Sequence, residues 1–153
     1  MDIKKDKGDF KMIVEKINSD NKTMVINLLK NVNGLKIEDK IIDNCLVLLN
    51  DKYDICGCIS YEKYDNYGLI RYFVFKRNIE YTDLLLLYQS LEIELKKVNI
   101  KESIAIINSD EVKEVFKQLG FNKIDKDKVY FEETVFSQTN YNENNEIYVK
   151  KIN

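Results

Sequence analysis

The apolar residues in the middle of the chain change their spacing twice, and this change constrains the fold more than any other feature. Three runs of strand length, 45–49, 54–61 and 69–75, are separated by short polar turns, a pattern that predicts an antiparallel meander. Apolar residues at helical spacing then mark a long helix that starts near Thr82, and a buried strand, 103–107, follows it. Because the helix lets the chain cross over, this strand is expected to lie parallel to the third strand of the meander.

The segments that flank the meander add further elements. Before it, we expect a strand at 10–17, a helix capped by Ser19 and closed by Asn33 and Gly34, and a short amphipathic piece at 35–42. Together with the meander and the crossover, this order predicts a mixed sheet with helices on both faces.

The last third of the chain predicts a short helix and the closing strands. Ser109 caps the helix and Gly120 ends it. A last strand is expected at 128–136, with 122–125 as its candidate partner. Residues Tyr148 and Val149 could form a terminal strand, or the end of the chain could fray.

The length and the element order together predict the domain organisation. A chain of 153 residues is long enough for one hydrophobic core. We expect a single domain over 1–136 and a polar tail over 137–153. The fold class is α/β (α+β), with a mixed, mostly antiparallel central sheet of six to seven strands and helices on both faces.

Charge and composition exclude several classes of function. The net charge of −2, with Arg71 and Arg77 as the only arginines, disfavours nucleic acid as a partner. No stretch is long and apolar enough for a membrane span, and no signal peptide is evident, so no membrane partner and a cytoplasmic location are expected. The chain has no histidine, which removes the commonest metal ligand, and we expect no metal.

The three cysteines allow two interpretations. If the tip of the first hairpin lies at Asp51 and Lys52, Cys45 falls opposite Cys58, close enough to crosslink under oxidation. The alternative, which the composition favours, is that Cys45, Cys56 and Cys58 are buried thiols that pack as small apolar side chains.

The order of elements and one local motif resemble the GNAT superfamily of acyl-CoA N-acyltransferases. The motif is Leu119-Gly120-Phe121 at the end of a helix, where glycine takes a left-handed turn and the aromatic ring packs back on the helix. The resemblance implies a fourth strand that splays from its neighbour and binds acetyl-CoA or another acyl-CoA. It also implies a pyrophosphate site at the start of the long helix, and an acceptor that is a small-molecule or peptide amine.

The resemblance places the cofactor-binding residues on the fourth strand and the turn after it. The acyl-CoA arm would pair with the strand, and its pyrophosphate would lie over the turn at the start of the long helix. A residue after the fifth strand completes the set, which is Phe73, Val74, Phe75, Arg77, Thr82, Asp83 and Asn108.

The turn departs from the family pattern. Glu80 and Thr82 stand where the family has glycines, which let the backbone approach phosphate without a Cβ in the way. Together with Glu80, Asp83 brings carboxylates to the predicted pyrophosphate position. The favoured alternative is that Thr82 caps the helix, while the two carboxylates complement its dipole.

The proton-transfer residues also depart from the family pattern. Phe116 stands where many members have the tyrosine that protonates the departing thiolate. Tyr72 and Tyr130 are the substitutes by strand position, although each could be an ordinary half-buried aromatic residue. Glu62 and Asp65 are candidate bases for the acceptor amine, and the alternative is that both are solvated surface carboxylates.

Two functions therefore stay open at the level of sequence. The first is an acyltransferase that moves an acetyl or longer acyl group from CoA to an amine. The second is a non-catalytic binding or interaction module that keeps the fold and has lost the CoA site, with its ten tyrosines as interface material. The oligomeric state and the acceptor are not predicted.

Overall fold

A computed structural model of the chain describes residues 11–107, 109–125 and 145–152. These residues form seven strands and four helices, in the order β1 (Ile13–Lys16), α1 (Lys22–Lys30), α2 (Asp39–Ile42), β2 (Leu46–Leu49), β3 (Ile55–Tyr64), β4 (Tyr67–Phe75), α3 (Tyr81–Lys97), β5 (Glu102–Ile107), α4 (Asp110–Gln118), β6 (Asn122–Ile124) and β7 (Glu146–Lys151). None of the helices within this part of the chain is long and apolar enough to cross a membrane.

The seven strands belong to one sheet, in the order β1-β2-β3-β4-β5-β7-β6. β1 and β2, β2 and β3, β5 and β7, and β6 and β7 pair antiparallel, whereas β4 and β5 pair parallel after the α3 crossover. The mixed, mostly antiparallel sheet predicted from the periodicity is therefore confirmed.

The chain divides into two compact units, and the first comprises residues 1–62 and 71–94. Its core joins one face of α1 and α2 to β2, through Val25, Leu29, Ile41, Ile42 and Val47. All four residues of β2 are buried, as expected for a continuously apolar strand covered on both faces.

The start of α1 differs from the prediction. Asn21, not Ser19, occupies the cap position. Its buried side chain accepts a hydrogen bond from the backbone N–H of Asn18 at 2.8 Å and donates one to the carbonyl of Lys16 at 3.0 Å. The asparagine therefore fixes the connection from β1 into the helix, a role for which a serine side chain is too short.

The register of the β2–β3 hairpin also differs from the prediction. Cys58 lies opposite Val47, not Cys45. The turn is longer than Asp51 and Lys52 alone, because the backbone N–H of Asn50 bonds to the carbonyl of Asp54 at 3.0 Å. An irregularity between Leu48 and Leu49 then shifts the pairing by one residue.

The second unit comprises residues 63–70 and 95–153. Its buried cluster is formed by Leu69, Ile104 and Ile147, which lie on β4, β5 and β7. Gly120 has φ +100°, and the rings of Phe116 and Phe121 meet edge to face at 5.0 Å between centroids. The predicted glycine turn and the return of Phe121 onto the helix are confirmed.

The end of the chain forms a strand rather than a frayed tail. β7 pairs with β5 over six residue pairs, from Glu102–Lys151 to Ile107–Glu146. It also takes β6 as its second neighbour, so residues 122–124 pair with the chain terminus. The strand predicted at 128–136 lies outside the described residues.

Candidate functional site

The backbone of β4 turns out of regular strand geometry at Tyr72. This residue has φ +53°, a left-handed conformation that costs a non-glycine residue about 1–2 kcal/mol. Among the described residues, the other non-glycine residues with positive φ are Tyr53, Asp65 and Asn99, and all three lie in turns between elements. Tyr72 is therefore distinct, because it lies inside a strand.

In this stretch, β4 contains one residue more than the part of β3 with which it pairs. A regular ladder from Tyr64 opposite Tyr67 would place Gly57 opposite Val74. Instead, a Cβ on Gly57 would lie 3.1 Å from the Cβ of Phe75, and the N–H of Lys76 bonds to the carbonyl of Cys56 at 2.9 Å. We conclude that β4 contains a bulge, and Tyr72 has the dihedral angle that marks it.

The side chain of Tyr72 is buried, at 5% exposure, and its hydroxyl is fully engaged. The hydroxyl donates a hydrogen bond to the carbonyl of Lys36 at 2.6 Å and accepts one from the N–H of Glu38 at 2.8 Å. Burial raises the pKa of the phenol. Tyr72, predicted as a proton donor, is thus bonded to the backbone on both sides of residue 37.

Arg71 precedes Tyr72 and forms a partly buried ionic network. Its guanidinium donates to Glu62 and lies 3.5 Å from a carboxylate oxygen of Glu38. The side chains of Arg71 and Glu62 are only 12% and 11% exposed, and Lys40 lies 4.0 Å from Glu62. The interpretation of Glu62 as a solvated surface carboxylate is therefore wrong, and its carboxylate is committed to Arg71.

The three cofactor-binding candidates after the bulge lie on β4 beyond the last residue that pairs with β5. The parallel ladder of β4 with β5 begins at Tyr67 and ends at Leu69, although β4 continues to Phe75. Because Lys76 and Cys56 form a hydrogen-bonded pair, Phe75 directs its own N–H and C=O away from β3. Phe73 and Phe75 are half-buried, with ring centroids 5.3 Å apart.

The turn between β4 and α3 places Arg77, Glu80 and Thr82 at exposed positions. The carbonyl of Glu80 accepts hydrogen bonds from the N–H groups of Asp83 and Leu84, at 3.0 and 3.2 Å. Glu80 thus occupies the cap position, and the prediction that Thr82 caps the helix is wrong.

The half-buried Asp83 lies in the first turn of α3. Burial raises the pKa of its carboxyl, and the negative charge of Glu80 raises it further. The site predicted for a pyrophosphate therefore carries two carboxylates beside one arginine.

The three cysteines are free thiols, and all are buried, as the composition favoured. A hydrogen bond between the thiols of Cys45 and Cys58 lowers the pKa of Cys45 and raises that of Cys58, which burial raises further. The sulfur of Cys58 also lies 3.4 Å from the carbonyl oxygen of Tyr72. This thiol therefore packs against the bulge in β4.

Four further residues are singled out by the sequence, and the structure describes two of them. Phe116 is 3% exposed and packs on Phe121, which agrees with a core role in place of the family's tyrosine. Tyr130 and Asn108 lie outside the described residues, and their roles stay predictions. Asp65 lies exposed in the β3–β4 turn with φ +53°.

Sequence reasoning missed two features of this site. Gly57 has no room for a side chain, because an added Cβ would lie 3.0 Å from the carbonyl oxygen of Val74. A glycine inside a strand pattern is a signal of close backbone approach or a bulge, so this one was detectable. The contacts of Arg71 and Tyr72 with residues 36–38 join segments more than 30 positions apart, and no local pattern reveals them.

Comparison with known proteins gives the fold. The sequence matches no family model and no curated protein. Among solved structures, the chain is similar to N-acetylglutamate synthase from Neisseria gonorrhoeae in complex with coenzyme A and N-acetyl-glutamate, with a TM-score of 0.76 and 15% identity over 94% of this chain. The chain spans about a third of that protein, 35% of its length.

Two smaller proteins match over nearly their whole length. An acetyltransferase of the GNAT family from Staphylococcus aureus has a TM-score of 0.69 and 13% identity, covering 94% of this chain and 100% of that one. The ribosomal-protein-S18-alanine N-acetyltransferase from Escherichia coli has a TM-score of 0.66 and 11% identity, covering 93% and 94%. The chain therefore has the fold of the GNAT N-acetyltransferases, as the order of its elements predicted.

Proposed function

We propose that the chain is a divergent GNAT acyltransferase that binds an acyl-CoA, with acetyl-CoA as the first candidate, and transfers its acyl group to an amine. The observation that carries this proposal is the edge of β4 that continues beyond its ladder with β5, after the Tyr72 bulge, in a chain with the GNAT fold. An extended ligand arm can pair with such an edge through main-chain hydrogen bonds.

The chemistry asks little of the protein beyond holding two reactants in place. The amine nitrogen attacks the thioester carbonyl, the C–N bond forms and the C–S bond breaks, the amine loses a proton and the CoA thiolate gains one. A backbone N–H near Phe73 or Val74 stabilises the oxyanion that forms on the carbonyl.

The proposal changes two of the predicted catalytic roles. Because the Tyr72 hydroxyl donates its proton to the carbonyl of Lys36 and accepts a hydrogen bond from the N–H of Glu38, we propose that Tyr72 positions the strand. Glu62 is bound to Arg71, and we propose that it holds this arginine rather than acting as the base. Tyr130 stays the candidate that protonates the thiolate.

The acceptor is proposed as a small-molecule or peptide amine. This class is supported by the proteins of like fold, one in complex with N-acetyl-glutamate and one named for the alanine of a ribosomal protein.

A second candidate function is a binding module that has lost the CoA site. Glu80 and Asp83 at the start of α3 favour it, because two carboxylates oppose the binding of a pyrophosphate at a helix N-terminus. The two candidates differ in whether acetyl-CoA binds.

Transfer is tested by incubating the chain with acetyl-CoA and a panel of amines that includes free amino acids, polyamines and peptides with free N-termini. The expected result is amine-dependent release of CoA thiol, with one acetyl group added to an acceptor by mass spectrometry. Arg77→Ala should weaken acetyl-CoA binding about two- to fivefold, as an exposed charge does, whereas the exposed Lys52→Ala should not. Binding of acetyl-CoA without transfer to any amine would contradict the transferase, whereas no binding of acetyl-CoA would favour the module that has lost the CoA site.

A further inference from the structure

Tyr72 combines an unusual backbone conformation with a side chain that holds a distant segment. Its backbone has the left-handed conformation that marks the bulge in β4, and its side chain bonds to the backbone of a segment more than 30 residues away. A tyrosine in this conformation is strained, so its surroundings must hold it there. The two hydroxyl bonds and the contact of the Cys58 sulfur with the Tyr72 carbonyl do so.

The segment 36–38 depends on Tyr72 for its backbone bonds. The hydroxyl binds the carbonyl of Lys36 and the N–H of Glu38, which are the groups on either side of Ile37. Glu38 has extended dihedral angles and no side-chain cap bond where it begins α2. Its carboxylate instead faces Arg71 at 3.5 Å. Two adjacent residues of β4 therefore hold this segment, Tyr72 through hydrogen bonds to its backbone and Arg71 through an ion pair with Glu38.

We propose that Tyr72 is a positioning residue that couples segment 36–38 to the part of β4 where the acyl-CoA would bind, so that ligand binding and the order of this segment are linked. The inference rests on the proposed function, since the ligand is the acyl-CoA proposed at 73–75. A ligand that pairs with this strand restrains the peptide groups next to Tyr72, and the same residue carries the hydroxyl that holds Lys36 and Glu38. Linkage is reciprocal, so loosening of the segment weakens binding of the ligand.

The test uses Tyr72→Phe, which keeps the ring and removes both hydroxyl bonds. Acetyl-CoA affinity is measured by calorimetry, and exchange of the Glu38 amide is followed by NMR. In the wild-type chain, acetyl-CoA should slow exchange of this amide. In Tyr72→Phe the amide should exchange faster, and acetyl-CoA should bind about fivefold more weakly or worse.

Tyr53→Phe is the matched control. Tyr53 also has positive φ, and its hydroxyl donates a hydrogen bond, here to Glu15 at 2.7 Å, but it lies exposed in the β2–β3 turn. Loss of the Tyr53 hydroxyl should change neither the affinity for acetyl-CoA nor the exchange rate of the Glu38 amide.

The outcomes separate the coupling from the proposed function. If the wild-type chain binds acetyl-CoA but exchange of the Glu38 amide does not respond, the coupling is overturned and the function stands. Wild-type affinity in Tyr72→Phe would overturn it as well. If Tyr72→Phe does not fold, the wild-type exchange experiment alone decides. No binding by the wild-type chain would remove the proposed function and the coupling together.

Discussion

Gly57 shows how a single missing Cβ shapes the site. It faces β4 where the strand has just taken up its extra residue, with the carbonyl oxygen of Val74 and the Cβ of Phe75 at 3.0 and 3.1 Å from the position of an added Cβ. Both of these atoms are held by the backbone, so neither can move aside alone. The close approach fixes the stretch of β4 that we propose binds the acyl-CoA.

Gly57→Ala should therefore destabilise the chain by about 1–3 kcal/mol, the usual cost of overpacking. Gly68→Ala is the control, since its nearest atoms are the flexible ends of Ile100 and Leu95, both at 3.2 Å, and it should cost less. Chemical denaturation of the two variants measures the difference. Equal losses of stability would contradict the close approach of β3 to β4.

Asp83 is the half-buried one of the two carboxylates at the proposed pyrophosphate position. Burial and the charge of Glu80 raise the pKa of its carboxyl. As the pH rises through this pKa, the carboxyl ionises and binding of acetyl-CoA should weaken. Asp83→Asn should bind acetyl-CoA about two- to fivefold more tightly at neutral pH and lose this part of the pH dependence. The exposed Asp51→Asn should match the wild type, and an Asp83→Asn variant that also matches it would refute the pyrophosphate placement.

The same shift has a consequence for stability. The pKa of Asp83 is higher in the folded than in the unfolded chain, so its ionisation disfavours the fold. The contribution of Asp83 to the free energy of unfolding is therefore most favourable when the pH is below the pKa that this carboxyl has in the unfolded chain. This contribution is lost as the pH rises through the pKa that the carboxyl has in the folded chain. Asp83→Asn removes that loss.

At the scale of elements, the ion pairs of Arg71 with Glu62 and Glu38 connect β4 to β3 and to the start of α2. Glu62→Gln keeps the shape of the side chain and removes its charge, leaving a partly buried arginine with a weaker partner. We expect a loss of about 1–3 kcal/mol, measured by denaturation.

The pair of Lys16 with Glu94 at 3.0 Å provides the contrast, because the lysine side chain is 65% exposed. Lys16→Met should cost at most about 1 kcal/mol. If Glu62→Gln costs no more than this surface variant, the network does not hold these elements together.

The elements differ in how far the sequence predicts them. The apolar pattern suffices for β2, α3 and β5, because β2 and β5 are continuous apolar runs and α3 buries one face at helical spacing. The same pattern does not predict the bulge at Tyr72 or the shifted register of the β2–β3 hairpin. Both depend on where the chain absorbs one extra residue, which contacts across strands decide.

At the scale of the whole molecule, the end of the chain holds the second unit together. β7 lies between β5 and β6. Its polar residues alternate with Ile147 and Val149, but the alternation is too short to predict from the sequence that this strand has a neighbour on each side. Position in the sheet, rather than local pattern, gives this strand its importance.

Removal of residues 145–153 should therefore abolish the cooperative unfolding of the second unit, since β5 loses six residue pairs and β6 loses three. Circular dichroism during heating measures the effect, and removal of Asn153 alone is the control. A truncated chain with an unchanged transition would contradict the sheet order.

Binding of acetyl-CoA tests the central claim most directly. Titration by calorimetry, with thermal unfolding in parallel, should show one site, and ligand at 100 times its Kd should add about 2.7 kcal/mol to the free energy of unfolding. Desulfo-CoA and free adenosine distinguish the contribution of the thiol end from that of the nucleotide. A single saturable site is the result we predict, and no heat and no stabilisation at millimolar acetyl-CoA is the result that would contradict the transferase.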